Sequence, residues 1–203
     1  MAVILPNSII LHIPKTAGKW VRWALRDNDI SFFQTSLDTT CDGILWHLNG
    51  MKSSHCLPKD NAFYRERSYR LCFVRRPAEW YQSYWCFRIV RGWRADSIFD
   101  RRTENEDFGI FIDNVVREYP CGFLRDVYGA YADECTHIGK VETIERDLTL
   151  FMKEIEGVDI DCSKTTRINT TPSEVKERAI YRPGQVEQIR AIERDVIDMF
   201  YSG

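Results

Sequence analysis

Compact apolar runs alternate along this chain with stretches of helical periodicity. Ser8 to Ile13 is a short, β-branched, nearly continuous apolar run, the pattern of a strand covered on both faces. Lys19 to Arg26 sets Trp20, Val21, Trp23, Ala24 and Leu25 against Lys19, Arg22 and Arg26, and predicts a helix. Ile30 to Gln34 predicts a second strand, Thr35 to Asp42 a polar loop, and Leu45 to Lys52 a short helix ahead of polar residues through Asp60. Tyr69 to Val74 is another strong strand, stopped by Arg75-Arg76-Pro77. Pro77 then suits the first turn of a helix reaching about Arg91, because no N–H is needed there.

Gly92 to Asp107 is charged and reads as a surface insertion. Phe108 to Tyr119 repeats apolar residues at helical spacing until Pro120 ends the pattern. Thr136 to Val141 predicts a last short strand with a helix over Ile144 to Ile155 behind it, and Gln185 to Tyr201 a closing helix. Strands alternating with helices argue for an α/β fold with a central, mainly parallel sheet flanked by helices. No internal repeat, low-complexity tract or linker interrupts the chain, so residues 1–203 read as one domain.

Composition adds little to that picture, and the local charge adds more. The 203 residues carry a net charge of −2, which gives no global argument for nucleic acid or membrane as a partner. From Arg65 to Arg102, however, ten Arg face four acids, a surplus of six that suits an anionic ligand. The seven cysteines are dispersed, with no metal-finger spacing and no C-x-x-C pair. That pattern reads as reduced thiols in a cytoplasmic protein with no metal expected. No apolar run approaches the roughly 20 residues of a membrane span.

The candidate chemistry begins where the first long apolar run ends. Between Ser8–Ile13 and Lys19–Arg26 lies Pro14-Lys15-Thr16-Ala17-Gly18, a tight strand-to-helix loop of the kind whose helix N–H groups hold an anion. A nucleotide P-loop needs Gly, four residues, then Gly-Lys followed by Ser or Thr. Here Gly18-Lys19 is present, but Ile13 holds the earlier Gly position and Trp20 follows the lysine, so a P-loop kinase is disfavoured.

HIPKTAGKW resembles the 5'-phosphosulfate loop of sulfotransferases that use 3'-phosphoadenosine 5'-phosphosulfate (PAPS), and is most similar to the carbohydrate branch. The resemblance implies a P-loop-like three-layer α/β sandwich and assigns Pro14, Lys15, Thr16, Ala17, Gly18, Lys19 and Trp20 to co-substrate binding. Lys15 would also be catalytic, at the 5'-phosphate and the bridging oxygen. Lys19 departs from the family's Ser or Thr. FVRRPAEWYQSYW resembles the family's 3'-phosphate motif, with Arg75, Pro77 and Ser83 in register and Arg75 and Ser83 as the binding residues. Arg76 stands in place of the usual Asp, and Trp80 where Arg is common.

Sulfuryl transfer needs a base for the acceptor proton, and the family commonly places a histidine between these motifs. His47 is the candidate and His55 the alternative, a neutral imidazole being suited to the task. IGKVETIERDL, with Gly139, Glu142 and Asp147, and RINTTP, with Asn169, carry weaker similarity. The expectation is a soluble PAPS-dependent enzyme sulfating a hydroxyl acceptor, with an acidic glycan among the candidates and Arg88, Arg91, Arg94, Arg101 and Arg102 either reading it or solvating an insertion. The alternative is a non-catalytic nucleotide-binding protein of the same fold. Nucleic acid and membrane are not expected partners, and the sequence leaves the oligomeric state open.

Overall fold

The computed structural model describes residues 2–35, 66–165 and 171–202. Among them, in chain order, are β1 (Ala2–Ile4), β2 (Ser8–Leu11), α1 (Gly18–Asp27), β3 (Phe33–Thr35), β4 (Tyr69–Val74), α2 (Pro77–Arg91), α3 (Ile98–Thr103), α4 (Phe108–Glu118) and α5 (Leu124–Ala132). There follow β5 (His137–Lys140), α6 (Ile144–Phe151), α7 (Ser173–Arg178), α8 (Gln185–Ile192) and α9 (Arg194–Tyr201). Contacts cluster into two compact units. The first draws its described residues from the spans Met1–Cys41, Met51–Arg75 and Gly129–Ile168, the second from Asp42–Gly50, Arg76–Tyr128 and Asn169–Gly203. The predicted helix at Leu45–Lys52, together with His47, His55 and Asn169, lies outside the described residues.

The first unit holds a five-stranded mixed sheet in the order β3-β1-β2-β4-β5. β2 pairs parallel with β4, and β4 parallel with β5. β1 runs antiparallel to both β2 and β3, so two of the four pairings are parallel and the expected mainly parallel sheet is corrected to a mixed one. The antiparallel strand β1 comes from residues before Ser8. Pro6 and Asn7, which interrupt the first apolar run in the sequence, form the turn of a hairpin in which Leu5 N–H donates to Ser8 O at 2.9 Å.

Both faces of the central strands are dry. Ile10, Leu71 and Phe73 join Val21, Leu25, Leu148 and Phe151 in one core cluster with α1 and α6, while Ile9, Cys72 and Val74, on the opposite face, are equally buried. That double burial is why β2 and β4 read as continuous apolar runs rather than as alternation. α1 buries Trp20, Val21, Ala24 and Leu25 on one stripe. Fully burying one such aliphatic side chain contributes about 1.5–3 kcal/mol. The helix stops where Asn28 Nδ2 donates to Ala24 O at 2.9 Å and Asp29 turns left-handed with φ 57°.

The second unit is packed around aromatic rings. Trp80 stacks on Tyr84 with centroids 4.9 Å apart, and Phe99 stacks on Phe123 at 4.2 Å. The segment Gly92 to Asp107 differs from the surface insertion its charge predicts, because Ser97, Phe99, Asp100 and Thr103 are buried there. Asp100 explains the difference. It forms an ion pair with Arg88 at 3.0 Å and accepts hydrogen bonds from the Tyr84 hydroxyl and from Arg94 N–H. The predicted closing helix is two helices. Glu193, at the break, accepts from Phe123 N–H at 2.8 Å, Leu124 N–H at 3.1 Å and the Tyr81 hydroxyl at 2.5 Å. Among the described residues no helix is long and apolar enough to cross a membrane.

Candidate anion-binding site

The loop from Ile13 to Gly18 is shaped by two non-glycine residues in left-handed backbone, Lys15 at φ 66° and Ala17 at φ 62°. A side chain in that region strains against its own backbone by about 1–2 kcal/mol, and such strain persists only where the surroundings hold it. Here the holding contacts are visible. Thr16 is buried, and both its hydroxyl and its N–H donate to Ile13 O, at 2.8 Å and 3.4 Å. The His12 imidazole lies against Gly18, so close that a Cβ there would sit 2.1 Å from His12 Cδ2. Glycine at position 18 is therefore required by histidine at position 12, a dependency six residues apart that spacing alone does not reveal.

The same contacts divide the motif residues by direction. Pro14, Thr16 and Trp20 are interior, with Trp20 part of the core cluster, whereas Lys15, Ala17 and Gly18 are half-buried and Lys19 is exposed. What the loop can present to a ligand is its backbone N–H groups and the ammonium groups of Lys15 and Lys19. Ala17 caps α1 without a side-chain hydrogen bond, and the first turn of the helix holds no acid to offset its positive end. Burial first, and then the neighbouring Arg26 charge, lower Arg22 from its usual value.

Topology places Arg75 beside this loop. β2 and β4 are adjacent and parallel with Leu11 level with Cys72, so the Pro14–Ala17 loop and Arg75 leave the same edge of the sheet. From β2 the chain goes next to β3 on one side, and from β4 it goes next to β5 on the other. The gap between the ends of β2 and β4 is thus a topological switch point, the place where open α/β sheets bind ligands. Arg75 is half-buried, its guanidinium a planar fork suited to a phosphate.

The remaining site residues divide differently. Ser83 belongs to the second unit, half-buried on α2. Trp80, where the resembled motif commonly has Arg, is fully buried among aromatic rings. His137 begins β5 level with Leu71, at the opposite end of the strands from the loop, with its ring against Phe151. Asp147 closes the strand-to-helix junction after β5, accepting from Lys140 N–H at 2.9 Å and the Thr143 hydroxyl at 2.7 Å. Gly139 leaves room for Phe73, whose ring would meet a Cβ at 2.5 Å. Of the arginines proposed to read an acceptor, Arg88 is buried on Asp100 and Arg94 pairs with Asp96 at 2.8 Å.

The gap beneath the loop, lined in part by Ile10, His12, Thr16, Gly18 and Phe73, measures about 10 Å³, room for one water at most. An anion would therefore sit on the loop's open side. A larger concavity of about 500 Å³, lined by Asp107, Phe108, Arg178 and Arg182 among others, belongs to the second unit and contains none of the residues singled out above. Among the described residues no cluster of three or more His, Cys, Asp and Glu is placed to hold a metal ion. Comparison with protein-family models, with curated proteins and with solved structures finds no match.

Proposed function

We propose that the chain is a PAPS-dependent sulfotransferase with a P-loop-like fold, moving the sulfuryl group of PAPS to a hydroxyl, with an acidic glycan among the candidate acceptors. The observation that carries this is the loop itself: strained, non-glycine, left-handed residues at Lys15 and Ala17, leading into a helix with no acid in its first turn at the sheet's switch point. The resemblance of HIPKTAGKW and RRPAEWYQS to the family's two phosphate motifs supplies the ligand.

In the proposed reaction the loop N–H groups and Lys15 hold the 5'-phosphate, the resemblance assigns Arg75 and Ser83 to the 3'-phosphate, and the acceptor oxygen attacks sulfur in line. As the S–O bond to the phosphate breaks, Lys15 stabilises the charge growing on the leaving oxygen. His47 takes the acceptor proton, so the products are a sulfate ester, 3'-phosphoadenosine 5'-phosphate and a proton. No metal is required by this scheme.

One observation favours the second reading, a nucleotide-binding protein without catalysis. The Thr16 hydroxyl donates inward to Ile13 O, and Lys19 stands where the resembled motif has a Ser or Thr, so the loop offers a phosphate no hydroxyl from either position. A transfer assay separates the two. With PAPS labelled in its sulfuryl group and a panel of glycans and small alcohols, the proposal expects labelled product and stoichiometric 3'-phosphoadenosine 5'-phosphate. Binding of the nucleotide with no product from any acceptor would support the non-catalytic reading, and failure to bind would remove both.

A further inference from the structure

The first acidic residue of the chain is Asp27, so Lys15, Lys19, Arg22 and Arg26 belong to a segment without a carboxylate side chain. Helix α1 sorts the last three onto one side. At 3.6 residues per turn, Lys19, Arg22, Trp23 and Arg26 fall within an arc of about 100°, opposite the stripe of Trp20, Val21, Ala24 and Leu25 that enters the core. Lys19 and Arg26 are exposed, Arg22 is half-buried, and Trp23 is 43 % exposed. Arg26 is held against aromatic rings, its guanidinium carbon 5.9 Å from the centroids of both Trp23 and Phe32. Among the described residues no carboxylate forms an ion pair with Lys19 or Arg26.

We propose that this face of α1 is a docking surface for a linear acidic polysaccharide, the polymer whose hydroxyl is sulfated at the neighbouring loop. The proposal rests on the sulfuryl-transfer reading of that loop. Charge complementarity calls for an anion, and the shape of the face calls for a linear one. From Lys19 to Arg26 it runs about 10.5 Å along the helix, beginning in the turn that leaves the loop at Gly18. Trp23 is the one large apolar side chain of α1 that is exposed, the others being packed into the core, so the helix has no apolar face to lay into a lipid surface. Single-stranded nucleic acid stacks successive bases on successive aromatic platforms, and α1 exposes a single ring. A sugar needs only that ring. Its C–H face covers the indole while carboxylates or sulfates on either side reach the three cations, and its free hydroxyls are what the transfer consumes.

Recognition of the acceptor thereby moves away from the arginines that follow Ser83, of which Arg88 and Arg94 are engaged by Asp100 and Asp96, to the helix that leaves the anion loop. Trp23 and Arg26 lie beyond the loop and its first helical turn, so they should set the KM for a polymer while leaving kcat and nucleotide affinity unchanged.

Calorimetry of the full chain without nucleotide reads docking separately from transfer, using a hyaluronate oligosaccharide as the carboxylated probe and a heparin oligosaccharide as the sulfated one. At least one is expected to bind, more weakly as salt rises. Arg26→Glu should weaken that binding by about five- to thirtyfold and Trp23→Ala by about two- to tenfold, whereas Arg26→Lys should retain most of it. Arg190→Glu, which makes the same change in net charge at an exposed position of α8, should leave it unchanged. An unchanged urea midpoint shows that each variant folds, and Trp23→Ala carries the test if Arg26→Glu does not fold. Failure of both probes to bind, unchanged binding in both α1 variants, an equal loss in Arg190→Glu, or tighter binding of oligothymidylate or of phosphatidylserine–phosphatidylcholine vesicles would overturn the proposal. Titration with 3'-phosphoadenosine 5'-phosphate keeps the two readings apart: a chain that binds the probes with the expected losses but not the nucleotide upholds the docking surface and removes the transfer.

Discussion

Replacing either strained loop residue with glycine should stabilise the protein while weakening its ligand. Lys15 and Ala17 hold φ at 66° and 62°, where a Cβ costs about 1–2 kcal/mol that glycine does not incur. Glycine returns about 0.4–1 kcal/mol of that through the freer unfolded chain. Ala17 also packs its methyl partly against the core, so Ala17→Gly forfeits a fraction of the roughly 0.8 kcal/mol that a buried methylene contributes. Lys15→Gly is therefore expected to raise the unfolding free energy by up to about 1.5 kcal/mol, and Ala17→Gly by up to about 1 kcal/mol. The control is Ala24→Gly in the buried stripe of α1, where φ is helical. It should instead lose about 1.5–2 kcal/mol from helix propensity and packing combined. Urea unfolding of the four proteins reads all these values. Looser loops should also bind 3'-phosphoadenosine 5'-phosphate about two- to fivefold more weakly in Ala17→Gly, the cost of ordering a glycine. Ala17→Gly destabilised as much as Ala24→Gly would refute the left-handed loop and remove the observation on which the functional proposal rests.

Three further outcomes follow from the packing. Arg88→Ala leaves Asp100 buried without its guanidinium and should cost about 3–5 kcal/mol in urea unfolding, whereas exposed Arg101→Ala should change stability by no more than about 0.5 kcal/mol. Near-wild-type stability of Arg88→Ala would return Arg88 to the ligand-reading role. Burial raises Glu193, against the hydrogen bonds from Tyr81, Phe123 and Leu124, so its contribution to stability is full below the usual carboxylate range and is lost as pH rises through its elevated value. Unfolding measured from about pH 5 to pH 8 should show that decline in the wild type and a flatter profile in Glu193→Gln. Asp147 has the opposite sign. Burial would raise it, but hydrogen bonds from Lys140 N–H, Thr143 and Arg146 outweigh that and hold it low, so its contribution is present above the usual carboxylate range and lost as pH falls. Asp147→Ala should cost about 1–3 kcal/mol at neutral pH and remove that acid-side loss.

The parts of the fold legible in the sequence were those with a strong local pattern. β4 and α2 have the bounds predicted for them because a run buried on both faces and a proline at the first helical position are local signals. The features that escaped depend on distant partners. β1 is three residues long and acquires its meaning only by pairing with β2 and β3. The break at Glu193 lies inside an unbroken apolar periodicity, and its cause is a carboxylate drawn to the backbone of residues 123 and 124. Asp100 likewise reads as surface charge until Arg88 and Tyr84 are beside it. At the candidate site, the strand-to-helix loop that carries Lys15 and Gly18 was legible from the motif, but the inward hydroxyl of Thr16 and the dependence of Gly18 on His12 are matters of side-chain direction that spacing does not encode.

The most direct measurement is calorimetric titration of the full chain, without magnesium, with 3'-phosphoadenosine 5'-phosphate and with ATP, repeated on Lys15→Ala. That substitution keeps the Cβ and its backbone strain while removing the ammonium, so it isolates the charge. A charge-assisted contact contributes about 1.5–3 kcal/mol, which corresponds to a loss of about tenfold to 150-fold. The account predicts that the 3'-phosphorylated nucleotide binds in preference to ATP and that Lys15→Ala loses affinity within that range. Equal affinity for the two nucleotides, or binding unchanged in Lys15→Ala, would contradict it.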